Sequence, residues 1–158
     1  LNRLWFHWQH LEEQISEVSK ELENVAKSRD DCSRLMTVPG IGPLAATAMI
    51  AAIGNGNQFR RARDLAAWLG LVPGQHSTGG TPRLLGITKR GNNYLRRLLI
   101  HGARSVYMHM NRERHALGKW TDALQNRAHR NVVVVALANK IARISWAILA
   151  KGSVYRMQ

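Results

Sequence analysis

The chain has 158 residues, 45% of them hydrophobic, which is enough for one ordinary domain with a real core. Its 23 Lys/Arg against 10 Asp/Glu give a formal net charge of +13, the electrostatics of a polyanion binder, nucleic acid before anionic membrane. A single cysteine, Cys32, excludes an intramolecular disulfide and a thiolate metal site; with no signal-like start, it points to a reducing cytosolic compartment.

The charge is unevenly placed. Residues 1–36 hold five Lys/Arg and seven Asp/Glu, whereas residues 37–158 hold 18 and three, a net +15. The division marks two functionally different parts, 1–35 and 36–158.

Residues 1–35 keep a heptad seam of Leu4, Trp8, Leu11, Ile15, Val18, Leu22 and Val25, ending on Arg29 and Cys32. Steps of four and three alternate, which is the repeat of a coiled coil. The seam is expected to pair with another chain or with a returning helix. The chain starts on Leu1 inside this pattern, so it is expected to be a piece of something longer.

At 35–53 the text becomes LMTVPGIGPLAATAMIAAI. Val38-Pro39-Gly40-Ile41-Gly42 resembles the hairpin of a helix-hairpin-helix DNA-binding motif. Gly40 and Gly42 would lie against a phosphate, and the helix opening near Pro43 would aim free N–H groups at it. A tight helical turn with structural glycines is the competing reading. Gly54–Asn57 ends that helix, and Asp64–Leu69 forms a short one, with Trp68 in the core rather than a base-stacking platform.

Gly74–Arg97 reads GQHSTGGTPRLLGITKRGNNYLRR. One glycine-flanked hydroxyl, Ser77, is followed by Arg83, Lys89, Arg90, Arg96 and Arg97 with no acidic residue between them. Glycines allow close backbone approach and cations stabilise phosphate oxygens. A surface turn before a solvated basic helix is the commoner meaning of such spacing. Helices are expected at about Tyr94–Met110, capped by Asn92 or Asn93, at Trp120–Ala128, and at Val132–Ala150 as the central core helix. No segment alternates well enough for a firm strand; Arg83–Thr88 is at most an extended or hairpin piece. The fold class is mainly all-α: a coiled-coil-like helix followed by a compact helical domain with a helix-hairpin-helix-like motif.

A two-metal nuclease needs several converging carboxylates. After Asp31 only Asp64, Glu113 and Asp122 remain, in different predicted elements, so no metal site and no cofactor is expected here. Gly74–Thr81 also lacks the Gly-Lys-Ser/Thr ending of a P-loop. Nucleophilic catalysis by Ser77 on a phosphodiester remains, with Arg83, Lys89, Arg90, Arg96 and Arg97 as the nearest cations for the transition state. His76 is a secondary candidate as base, and Thr78 competes as nucleophile.

The order Val38–Gly42, Asp64–Pro73 (DLAAWLGLVP), Gln75–Gly80 (QHSTGG), Ile87–Gly91 (ITKRG) and Tyr94-Leu95-Arg96 resembles the C-terminal transposase part of the insertion-sequence one-hundred-and-ten family, the DEDD transposases. The match covers about residues 35–150. It implies a recombinase that excises and inserts a mobile element in the prokaryotic cytosol, guided by an element-encoded bridge RNA and assembled as an oligomer on DNA. It also implies a metal-dependent nuclease domain, N-terminal to the coiled coil and absent from this chain, where Mg²⁺ would bind. Ser77 would be the covalent nucleophile. Leu85-Gly86 stand where the family usually has Gly-Arg, and Gly74 where Arg is common; both departures remove a cation near Ser77. The alternative is a non-catalytic nucleic-acid-binding and oligomerisation module. A basic protein-interaction module is the third.

Overall fold

Apolar residues recurring every three to four positions make most of the chain helical, and the computed structural model, which describes residues 2–78, 81–113 and 115–156, is predominantly α. Seven helices and one hairpin follow in order: α1 (Asn2–Ser28), α2 (Asp30–Met36), α3 (Pro43–Ile53), α4 (Ala62–Trp68), β1 (Pro73–Thr78), β2 (Thr81–Ile87), α5 (Asn93–His109), α6 (Ala116–Gln125) and α7 (Arg130–Lys151).

The body is built around α7, which packs on α5, α4, α2 and α6. Val133, Leu137, Ile141 and Ile148 of α7 are buried against Leu35, Met49, Leu65, Leu95 and Leu99 of the other helices. Each such side chain contributes about 1.5–3 kcal/mol by leaving water, which outweighs the modest helix reluctance of the β-branched run Val132–Val135. By length and composition α7 could also cross a bilayer, but half of its most apolar window is buried inside the body. Gly152 closes it in the left-handed conformation, its N–H donating to Ile148 O.

The heptad run divides. Arg29 is extended (φ −107°, ψ 123°) and separates α1 from α2, while its guanidinium holds Asp31 through two hydrogen bonds of 3.0 and 2.7 Å. That pairing keeps the Asp31 carboxyl below the usual carboxylate range. Beyond the break the apolar positions serve the body: Cys32 and Leu35 are fully buried, as is Ala26 just before it. Earlier seam residues are not buried in the body; Trp8 only packs against Trp5 of its own helix, ring centroids 5.0 Å apart. Leu4, Trp8, Leu11, Ile15 and Val18 are 41–72% exposed, so α1 leaves the body as a free rod of about 30 Å (some twenty residues at 1.5 Å each).

Two expectations are corrected in extent. Residues 73–87, expected to be loop apart from an extended piece at 83–88, form an antiparallel hairpin with Ser77 opposite Pro82, His76 opposite Arg83 and Gln75 opposite Leu84. The helix expected at 120–128 begins earlier, at Ala116, and ends at Gln125; within it Leu117 is buried, and Thr121 is buried with its hydroxyl donating to Leu117 O one turn back.

The turn between α2 and α3 crosses α5 at a point where neither has a side chain. A Cβ on Gly102 would run into Gly40 O, and one on Gly40 would meet Gly102 O at 2.8 Å. In an unencumbered helix, Gly→Ala adds up to about 1 kcal/mol of stability. Here the obstacle is backbone, which cannot swing aside, and overpacking costs about 1–3 kcal/mol. Gly102→Ala is therefore expected to lower stability by about 1–2 kcal/mol in urea denaturation, with Ser105→Ala on the exposed face within about 0.5 kcal/mol of the parent. A more stable Gly102→Ala protein would contradict this packing.

Candidate active site and nucleic-acid interface

The hairpin stands on two feet, Gly70–Val72 and Thr88–Gly91, that are tied to each other and to the body. Thr88 N–H donates to Val72 O (2.9 Å) and Lys89 N–H to Gly70 O (3.2 Å). Gly70 (φ +69°) and Gly91 (φ +85°) occupy left-handed backbone at points of contact: a Cβ on the first would strike Arg90 O, and on the second Trp68 O. Lys89 also lies in that region, at φ 56°. From α7, Asn139 Nδ2 donates to Leu71 O (3.0 Å).

The strongest tie is Arg96. It is 8% exposed, and its guanidinium donates to Leu69 O at 2.9 Å, Arg90 O at 3.2 Å and Asn93 Oδ1 at 2.9 Å. One side chain thus joins the end of α4, the exit foot of the hairpin and the first turn of α5. Asn92 starts that turn, its Oδ1 accepting from Leu95 N–H (2.9 Å). The expectation that Arg96 contacts phosphate is corrected: its donors already serve main-chain and amide oxygens inside the protein.

Ser77 is exposed in β1, and Gln75 Nε2 donates to its Oγ at 2.7 Å. Neighbours along a strand alternate faces, so Ser77 shares its face with Gln75 and with Leu84, which is 68% exposed. His76 and Arg83, paired across the ladder, occupy the opposite face. The side chain of Thr78, and Gly79 and Gly80, lie outside the described residues. Lys89 and Arg90 are exposed at the foot, seven and eight residues past Pro82, the cross-strand partner of Ser77, roughly 20 Å away at about 3.3 Å per residue. They cannot hold the same phosphate as Ser77.

Sequence reasoning missed Gln75, which period-two alternation would have placed beside Ser77 once the strand was recognised. It also left Arg104 aside. Arg97, His101 and Arg104 recur at four and three along the exposed side of α5, a basic stripe. Gly42 is exposed at the N-terminus of α3 with Pro43 behind it, open to an approaching ligand, whereas the Cα of Gly40 faces α5.

Other reactive groups are engaged. Burial raises the Cys32 thiol above its ordinary value and keeps it protonated. Asp64 accepts from Arg61 N–H (2.9 Å) at the start of α4, and Asp122 pairs with Arg112 at 2.6 Å, a half-buried bond that raises the Arg112 guanidinium. Among the described residues no three His, Cys, Asp or Glu side chains come together as metal ligands. The donor set of a Mg²⁺ centre is therefore not one these residues fit.

Comparisons with known proteins give the class: transposases. The pattern of the transposase IS116/IS110/IS902 family matches residues 32–119, and the chain belongs to that family. It is 48% identical to a probable family 20 transposase of Pseudomonas aeruginosa over 94% of this chain and 44% of the relative. It is 45% identical to the transposase for insertion sequence element IS1111A of Coxiella burnetii over 99% and 43%. A pilin gene-inverting protein of Moraxella bovis is 27% identical over 92% and 45%. The chain spans less than half the length of these relatives.

Arg96→Ala is expected to cost about 2–4 kcal/mol, since it removes charge-assisted hydrogen bonds and leaves buried carbonyls unpaired. Hydrogen exchange at the Thr88 and Lys89 amides should accelerate more than exchange in α7. Arg97→Ala, on the exposed side, should change stability by less than about 0.5 kcal/mol. Equal protection of the hairpin feet in both variants would contradict the clamp.

Proposed function

We propose that this chain is the strand-joining part of a DNA transposase, with Ser77 as its nucleophile. The observation that carries the proposal is an exposed hydroxyl on a hairpin whose feet are fixed by Arg96, Asn139 and two pressed glycines. Such a mount presents a reactive group well clear of the body yet in a defined direction. The step is an exchange of esters. Ser77 Oγ forms a bond to phosphorus, the bond from phosphorus to a sugar oxygen breaks, the hydroxyl proton leaves to a base, and the sugar oxygen is protonated. Attack by a sugar hydroxyl on the phosphoserine reverses it and releases Ser77.

Base and transition-state cations are not on the Ser77 face of this hairpin. We assign them to groups beyond this chain, where the expected acidic nuclease domain and its Mg²⁺ also belong, so the chain alone is inactive in joining. Lys89, Arg90, Arg97 and Arg104 grip other phosphates along the backbone, with Gly42 offering a further approach at α3. Bridge RNA is a second polyanion for the same cations, the site of action is the bacterial nucleoid, and self-association runs through the α1 seam. The placement of His76 and Arg83 on the opposite face favours a second reading, a nucleic-acid-binding and oligomerisation module in which Ser77 is only a strand residue.

The two readings separate in a protein of the relatives' full length supplied with Mg²⁺, guide RNA and DNA. Ser77→Ala should abolish strand exchange while leaving DNA affinity within about twofold. Affinity should fall roughly a thousandfold or more from 50 to 200 mM salt if six or more phosphates are contacted, and Arg97→Ala with Arg104→Ala should reduce the slope by about two. Normal exchange by Ser77→Ala would end the catalytic reading; affinity indifferent to salt would end both.

A further inference from the structure

Ser77 stands on a strand face that carries no cation among the described residues, since His76 and Arg83 lie on the opposite one. The polar side chain beside it is Gln75. Residues two apart on a strand point the same way, about 6.6 Å from each other at about 3.3 Å per residue. A glutamine side chain bridges that interval, and Gln75 Nε2 donates to Ser77 Oγ at 2.7 Å. Across the ladder from Gln75 is Leu84, 68% exposed, so the face is open to a ligand as large as a DNA strand.

Two features of this hydrogen bond bear on chemistry. Its direction leaves the serine's own hydrogen unspent: Oγ accepts from the amide, and its O–H remains available to a base. The amide also has donor capacity in reserve. Nε2 carries two hydrogens, and Gln75 makes no other side-chain hydrogen bond among the described residues.

We propose that Gln75 is a catalytic residue of the joining step, one N–H of its amide holding the attacking Ser77 Oγ and the other a non-bridging oxygen of the same phosphate. The role rests on Ser77 as nucleophile and adds the group of this chain that shares the developing charge. As the bond from Oγ to phosphorus forms and the bond to the sugar oxygen breaks, the hydroxyl proton goes to the base and negative charge gathers on the non-bridging oxygens. The amide gives up no proton. Its two donors lie where that charge grows, and Oγ and the non-bridging oxygen become neighbours on one phosphorus, within reach of one NH₂ group. Glutamate at this position would only accept, and would set a carboxylate against the phosphate. Asparagine, one methylene shorter, would not reach Oγ.

The test follows formation of the protein–DNA adduct in a protein of the relatives' full length, with Mg²⁺, guide RNA and DNA. Gln75→Ala should slow the adduct roughly a hundredfold, the usual loss for one such donor, with DNA affinity within about twofold. Gln75→Glu and Gln75→Asn should do no better than about tenfold above Gln75→Ala. The contact itself is read by placing a single phosphorothioate at the scissile phosphate, because sulfur accepts hydrogen bonds poorly. One diastereomer should react at least about tenfold more slowly than the other in the parent, and most of that difference should vanish in Gln75→Ala. A slow Gln75→Ala protein with the parental diastereomer ratio would overturn the contact and leave Gln75 a structural residue. A parental rate in Gln75→Ala, with Ser77→Ala inactive, would overturn the role of Gln75 and leave the serine standing. Adduct formation by Ser77→Ala would overturn both.

Discussion

A buried guanidinium organises the working end of this molecule. Arg96 brings a permanent charge into the body and satisfies it with Leu69 O and Arg90 O, from two segments that would otherwise separate, and with Asn93 Oδ1 one turn away on its own helix. A buried charge is costly unless fully hydrogen-bonded, so the arrangement is close to all-or-none: either the segments converge on Arg96 or the charge is stranded. Lysine could not substitute, since a point ammonium lacks the fork that reaches three oxygens in different directions. The hairpin inherits its orientation from this one residue, assisted by Asn139 from the central helix.

That rigidity explains how a small helical body can carry an exposed serine at a distance. A two-stranded hairpin alone is marginally stable in water. Anchored feet remove much of its freedom, leaving Ser77 and its partner Gln75 directed outward. The hairpin also separates its groups: the exposed cations lie at the foot and on α5, while the hydroxyl lies further out on β1.

Much of the fold was legible. Helix positions followed apolar periodicity, Asn92 announced its cap, and Gly54 marked a helix end. The hairpin was hidden because Pro73, Gly74 and Gly86 disguise its alternation, and its hydrogen bonds are to itself rather than to a sheet with a buried face. The uniform heptad run concealed the break at Arg29, since Cys32 and Leu35 continue the apolar spacing for another reason, burial in the body. Ser77 was legible as a residue type in context. The role of Arg96 was not, because a cation in a basic run looks the same whether it points to solvent or to main-chain oxygens. Gly40 was read as facing a ligand, but long-range contact with Gly102 faces it inward, a relation sixty residues apart that local text does not carry.

The central claim is that Ser77 Oγ becomes esterified to DNA. The direct measurement is to trap the full-length protein on a DNA substrate during strand exchange, digest the adduct, and map the nucleotide-bearing residue by mass spectrometry. The account predicts a single modified peptide with the phosphate on Ser77, lost in Ser77→Ala. A phosphate on Thr78, or active exchange with no protein-linked DNA at any time point, would contradict it.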